Sequence, residues 1–209
     1  MSGRIPKPLQ AALAAMLATM GAGGSVYLAE QERTSQLQTE YLQTVAADTS
    51  TSDAIKLAMV LGSYYESSFR HIGTPYVDKL GKGQPLTVCN GITGAGVVAG
   101  RYYTPADCYR LEVGRYKEAE AYLQRTAAPA YQRANVLQQA TYLDFLHNKG
   151  SSAFASSTMR RKLLAGDTVG ACRENEKWTR GTVGGVKVVL PGLKIRADAN
   201  SDLCAEGLK

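Results

Sequence analysis

Histidine is scarce in this chain, with His71 and His147 its only two copies, and the four cysteines stand far apart with no Cys-x-x-Cys pair beside them. A structural metal ion needs several such ligands at close spacing, so no metal is expected, and no motif implies a cofactor. Internal repeats and low-complexity tracts are also missing, which excludes solenoid and fibrous architectures. Hydrophobic residues make up 44% of the 209 positions, too many for a disordered chain and enough for one domain with an appendage. The 24 Lys and Arg outnumber the 18 Asp and Glu, giving a net charge of +6. They are dispersed and accompany no recognition motif, so nucleic acid is not an expected partner, although the charge suits an anionic surface.

Charge is absent from one long stretch, Leu9 to Ala29. As a helix it would measure about 31 Å at about 1.5 Å per residue, close to a bilayer core. Arg4 and Lys7 precede it, while Glu30, Glu32 and Arg33 follow. The positive-inside rule then puts the N-terminus in the cytoplasm and everything after Ala29 across the inner membrane. The stretch is only weakly apolar, since four Leu and one Val stand among Ala and Gly. Five strong residues at roughly −0.5 kcal/mol each give only about −2.5 kcal/mol of insertion free energy. A cleaved signal peptide ending near Ala22-Gly23-Gly24, a permanent anchor and a buried Ala-rich helix are the competing readings. An uncleaved export helix that can later leave the membrane fits the weak hydropathy best. The expected division is therefore residues 1–29 as export helix, 30–51 as polar linker or exposed helix, and 52–209 as the exported domain.

An even number of cysteines in an exported chain predicts disulfides, with three connectivities open. Pairing Cys89 with Cys108 and Cys172 with Cys204 would put one bond in each half of the domain. Loops of about 20 and 33 residues closed in this way contribute roughly 3–4 kcal/mol each in a chain-entropy account.

Along the chain, Ser52-Asp53 predicts a helix start, with apolar Ile55, Leu57, Ala58, Val60 and Leu61 running on toward Ser67. Residues 72–100 are rich in Gly, Pro, Thr and Val, the composition of short strands joined by turns. Thr104-Pro105-Ala106-Asp107 opens a second helical region, with Thr as N-cap and Pro in the first turn. Helices are expected over about 105–125, 129–148, 157–165, 167–176 and 193–206, the last two separated by a loop or hairpin at VGGVKVVLPG. The fold class is α+β: a small strand-rich lobe, a larger helical lobe and a cleft between them.

Two carboxylates fall near the strand-rich segment, Glu66 at the end of the first exported helix and Asp78 just before the turn glycines Gly81 and Gly83. Paired carboxylates across a cleft suit glycoside hydrolysis. One acts as general acid and needs surroundings that keep its proton, a setting that Tyr64-Tyr65 and Phe69 would supply for Glu66.

The combination Glu66, Tyr76-Val77-Asp78, Gly81, Thr87-Val88-Cys89-Asn90-Gly91-Ile92-Thr93 and Tyr103 to Cys108 resembles the phage-type lysozymes. The likeness continues through Phe145 to Gly150, Phe154, Ser157-Thr158, Gly170-Ala171-Cys172 and Cys204. All four cysteines match the export-helix branch, the signal-arrest-release endolysins. The resemblance implies a lysozyme-like fold and a muramidase that cuts the β-1,4 bond between N-acetylmuramic acid and N-acetylglucosamine in peptidoglycan, inverting the anomeric carbon. It implies Glu66 as general acid, Asp78 and Thr87 as holders of the attacking water, and Asn148 and Ser157 as glycan contacts from the helical lobe. It also implies a monomer that is held at the host inner membrane and then released to the periplasm.

Two spacings depart from the family pattern. Asp78 follows Glu66 by 12 positions where nine are usual, and Thr87 follows Asp78 by 9 where about six are usual. Three-residue loop insertions would account for both. His71 lies inside the first insertion and is an alternative acid, and Ile92 replaces a usual His. A lytic transglycosylase, which needs one acid and no water-holding Asp, is a rival. A non-enzymatic membrane-disrupting lysis accessory is another.

Overall fold

The computed structural model describes residues 4–20, 36–79 and 83–208. Helix α1 (Lys7–Met20) leads to α2 (Gln36–Ala47) and α3 (Asp53–Ser67). Strands β1 (Tyr76–Val77), β2 (Leu86–Val88) and β3 (Ile92–Thr93) form a small antiparallel sheet in the order β1-β2-β3. The helical lobe contains α4 (Pro105–Thr126), α5 (Ala130–Arg133), α6 (Val136–Ser156), α7 (Thr158–Leu164) and α8 (Thr168–Arg173). A 3-10 turn (Glu174–Lys177), the hairpin β4 (Arg180–Val183) and β5 (Val186–Val189), and α9 (Pro191–Glu206) complete it. The α+β pattern expected from composition is the pattern present.

Local chemistry sets several boundaries. Ser52 caps α3 by accepting from the Ile55 N–H at 3.2 Å. Thr104 and Asp107 form a reciprocal capping box at α4, and Asn135 and Gln138 form another at α6. That second box splits the helix expected over 129–148 into α5 and α6. Gly150, at φ 81° and ψ 163°, breaks α6 in a backbone region that a side chain would not tolerate. The break leaves Asn148 and Lys149 at the end of a helical segment, where the chain turns away.

Helix α3 is the axis of the core. Ile55, Leu57, Ala58, Val60 and Leu61 are buried, and α1, α2, α4 and α6 all pack on this helix. Disulfide Cys89–Cys108 fastens the strand lobe to α4, and Cys172–Cys204 joins α8 to α9. Ile92 is buried opposite Val88 in the sheet, an apolar strut of the strand lobe.

The N-terminal region differs from its expected exposure. Gln36–Ala47 is a helix whose Tyr41, Leu42 and Val45 are buried, so this stretch packs on the body rather than standing in solvent. Helix α1 lies against α3 with Leu9, Ala12, Leu13 and Met16 buried, the i, i+3, i+4, i+7 face of an amphipathic helix. Full burial of a Leu or Met is worth about 1.5–3 kcal/mol, so this face is held by on the order of 5 kcal/mol. Ahead of the helix, Arg4 grips Asp202 at 2.7 and 2.5 Å and Glu176 at 2.8 Å. Among the described residues no helix is long and apolar enough to cross a membrane. Residues 21–29 of the expected export segment lie outside the described residues.

Candidate active site

Glu66 projects from the last turn of α3, where Ser68 takes a left-handed conformation and returns its N–H to the Tyr64 carbonyl. Arg196 of α9 donates from Nη1 to Glu66 Oε1 at 2.5 Å. The same guanidinium grips Asp144 of α6 through Nε at 2.9 Å and Nη2 at 2.7 Å. Burial opposes its charge, but Asp144 and then Glu66 outweigh that penalty and hold its proton more tightly than usual. Asn200 donates to Asp144 Oδ2 at 2.6 Å, and the Tyr65 hydroxyl donates to Asn200 at 3.2 Å.

The apolar setting expected around Glu66 is thus replaced at one oxygen by a cation. Tyr64 turns to Phe69, with ring centroids 5.3 Å apart, and Tyr65 lies under the Arg196 guanidinium at 5.0 Å. The other oxygen, Oε2, faces Gly91 across the turn between β2 and β3. A Cβ at Gly91 would sit 3.3 Å from Oε2, and the residue's φ of +78° favours glycine independently.

Asp78 and Thr87 share a tie to one carbonyl. The Asp78 N–H donates to Pro85 O at 3.0 Å, and the Thr87 hydroxyl donates to the same oxygen at 3.2 Å. Tyr76 lies directly opposite Thr87 in the sheet, so the two side chains share a face. Its phenol holds its proton more tightly than usual through partial burial, then the charge of Asp78, then that of Glu66. Tyr76 is therefore within electrostatic reach of both carboxylates.

Glu112 braces the turn from beneath. It accepts from Asn90 N at 3.1 Å and Asn90 Nδ2 at 3.0 Å, and from the Tyr41 hydroxyl of α2. Burial pushes its carboxyl up to about 7, against the lowering effect of these donors. Cys89, Cys108 and Glu112 bring their ligand atoms within 4.8 Å of one another. Both sulfurs are tied in a disulfide, so the trio offers no thiolate to a metal.

On the helical side a recess opens beside Arg196. Asn148, Lys149, Asn175, Trp178 and Leu193 contribute to its walls. Phe145 meets the Trp178 ring edge-on at 5.0 Å.

Other sequence candidates take structural roles. Ser157 accepts from Arg160 N at 3.0 Å and donates to Phe154 O at 2.7 Å, and only 4% of it is exposed. Ser157 is thus the buried N-cap of α7. The His71 ring nitrogen Nε2 donates to the Tyr103 carbonyl at 2.9 Å, so that nitrogen ties down the loop rather than serving as a free acid. His147 stacks on Tyr116 at 4.8 Å and burial lowers its pKa.

Arg196, Asp144, Lys149 and Gly91 did not emerge from the sequence as site residues. The Arg196–Glu66 pair joins positions 130 apart, a link that no local pattern announces.

The chain is similar to known proteins over most of its length. The model of the phage lysozyme family matches residues 71–200, which include Asp78 and Thr87 but begin after Glu66. The SAR-endolysin of Bacteriophage PS119 is 32% identical over 135 residues, covering 64% of this chain and 74% of the relative. The SAR-endolysin of Enterobacteria phage P21 is 32% identical over 136 residues with the same coverage. Among solved structures, the endolysin from Escherichia coli O157:H7 phage FAHEc1 superposes with a TM-score of 0.63 at 19% identity, over 71% of this chain and 90% of its own. The active form of P1 phage endolysin Lyz gives 0.59 at 18% identity, over 94% of this chain and 95% of its own. Matched over more than half its length by the family model, this chain belongs to the phage lysozyme family and is a glycoside hydrolase.

Proposed function

We propose that the chain is a phage endolysin whose muramidase activity hydrolyses the β-1,4 bond between N-acetylmuramic acid and N-acetylglucosamine in peptidoglycan. The observation that carries the reading is the split environment of Glu66, with Oε1 anchored by Arg196 and Oε2 turned to Gly91 at the strand lobe. With one oxygen fixed, a proton on Oε2 is the one to be passed to the glycosidic oxygen as the bond to the anomeric carbon breaks. Asp78 takes a proton from water, and Thr87 helps orient that water as its oxygen attacks the anomeric carbon from the opposite face. Both residues are tied to the Pro85 carbonyl, Asp78 by its backbone N–H and Thr87 by its hydroxyl, which supports their acting together. Asn148 contacts the glycan from the helical lobe.

The test is product analysis on purified peptidoglycan. Wild type should release free reducing ends, and Glu66→Gln should lower the rate by about 10²–10⁴, the usual worth of a positioned general acid, with its fold intact. Products ending in 1,6-anhydro rings would establish a transglycosylase instead. Lysis undiminished in the variant would establish a non-enzymatic accessory.

Residues 9–29 we read as an uncleaved export helix that holds the protein at the host inner membrane, with the catalytic part in the periplasm, until the helix leaves the bilayer. The released chain then acts as a monomer. Relatives named SAR-endolysins support this, as do the flanking charges. The docked α1 supports it energetically. Burying Leu9, Leu13 and Met16 on α3 gives on the order of 5 kcal/mol, more than the roughly 2.5 kcal/mol available from weak insertion. Arg4 lies on the cytoplasmic side during tethering, so its grip on Asp202 and Glu176 forms only after the N-terminus has crossed. Depolarising the membrane should move the full-length chain into the soluble periplasmic fraction. Strict membrane retention, or an N-terminus cut near Gly24, would overturn this part of the reading.

A further inference from the structure

Many charged side chains of the helical lobe are matched. Arg196 is shared by Asp144 and Glu66, Arg173 pairs with Asp202 and Glu206, and Lys177 and Lys162 pair with Glu174. Lys149 differs. It is half-buried in the wall of the recess, next to Asn148 and Arg196, and makes no ion pair among the described residues. Holding an ammonium partly out of water without a partner costs free energy unless something charged arrives to meet it.

The local charge count shows when that cost is greatest. Asp144, Glu66, Arg196 and Lys149 sum to zero with both carboxylates ionised. When Glu66 carries the proton it donates, Asp144 still balances Arg196, and Lys149 is left as one uncompensated positive charge. Burial, and then Arg196, loosen the Lys149 proton, while Glu66 and Asp144 pull the other way.

We propose that Lys149 is a specificity-determining residue that binds a carboxylate borne by the muramyl unit of the substrate. This inference rests on the muramidase reading. The recess supplies the site: Lys149 provides the charge, Asn148 adds an amide group, and Trp178 and Leu193 provide apolar walls. Such a mixture suits a short anionic chain attached to a sugar rather than a bare neutral polysaccharide. The muramyl unit offers that carboxylate in two places, on the stem peptide or, where the peptide is missing, on the lactyl group itself.

The experiment uses the full-length protein on three soluble glycan preparations: strands with stem peptides and free carboxylates, strands stripped of peptides to leave the lactyl carboxylate, and peptide-bearing strands with every carboxylate amidated. Lys149→Met should reduce the wild-type preference for charged over amidated strands roughly tenfold, the worth of one charge-assisted hydrogen bond, chiefly through KM. Lys149→Arg should restore most of that preference. Loss confined to peptide-bearing strands assigns the carboxylate to the peptide, and loss on stripped strands assigns it to the lactyl group. An equal fall of Lys149→Met on all three, with Lys149→Arg no better, would reduce Lys149 to a structural role and overturn the inference. A wild-type chain inactive on all three would instead refute the muramidase reading, a result distinct from any failure of the variant.

Discussion

Glu112 should make this protein lose stability as the solution passes from mildly acidic to mildly basic. Its carboxyl is buried between α2, α4 and the Asn90-Gly91 turn, and burial raises it from an ordinary 4.5 to about 7. In the unfolded chain the group is already ionised above about pH 4.5, whereas in the folded protein it keeps its proton until about pH 7. Between those values the native state binds more protons than the unfolded state, so unfolding free energy falls with rising pH. The gap between those two values corresponds to about 3 kcal/mol, fully present below pH 4.5 and gone by about pH 8. Asp48 and Asp107 act in the opposite direction: Asp48 is held near 2 first by the Tyr109 hydroxyl, and Asp107 near 2 first by the Thr104 hydroxyl. Their effects lie below pH 4, outside the window of Glu112, whereas His147, whose pKa burial lowers, raises stability with pH inside that window and cancels in the comparison with a Glu112 variant. Glu112→Gln keeps the shape and an acceptor for Asn90 but cannot titrate. Urea unfolding with both disulfides intact, at half-unit steps from pH 4.5 to 8, gives the comparison. The variant should be level with wild type or about 1 kcal/mol weaker at pH 4.5, through an imperfect hydrogen bond, and more stable by about 2–3 kcal/mol at pH 8. A wild-type-minus-variant difference that stays constant across the range would refute the assignment of the pH dependence to this carboxyl.

Two further outcomes follow from the site and from the docked N-terminus. Gly91→Ala places a methyl against Glu66 Oε2 and imposes a left-handed conformation on alanine, so it should cost about 1 kcal/mol in unfolding free energy. It should also slow reducing-end release severalfold, because Oε2 must give way by a few tenths of an ångström and a misplacement of about 1 Å at a reacting group costs about 10²-fold; an unchanged kcat with a lowered Tm would show that Oε2 is not the working oxygen. Arg4→Lys keeps the positive charge that sets membrane topology but loses the two-pronged grip on Asp202. Export should be unaffected while the released protein loses about 1 kcal/mol, a modest figure because Arg4 is 38% exposed, and an unchanged Tm would mean that the grip contributes nothing to docking.

What the sequence made legible was chemistry carried by neighbours. Ser52, Thr104 and the residues just after them announce their helices because a cap bonds within three positions. The export segment shows the boundary of that kind of inference. A run without charge states that an apolar face needs cover, but lipid and a protein groove satisfy it equally, and only the packing on α3 identifies the second. The Glu66-to-Asp78 spacing raises the same issue for the site. Its three additional residues raise doubt only if positions in sequence stand for positions in space. In the folded chain the loop after α3 is pinned at successive points: Phe69 N to Ser63 O at 3.2 Å, Arg70 N to Ser67 O at 3.1 Å, Cys89 N to Ile72 O at 2.8 Å and Tyr103 N to Gly73 O at 2.8 Å. His71 adds its own bond to Tyr103. Tied on one side to α3 and on the other to β2 and the approach to α4, the longer loop absorbs its extra length before β1 begins. Asp78 is then placed by its pairing with Pro85, and Glu66 by Arg196, neither of which depends on how many residues separate the two carboxylates.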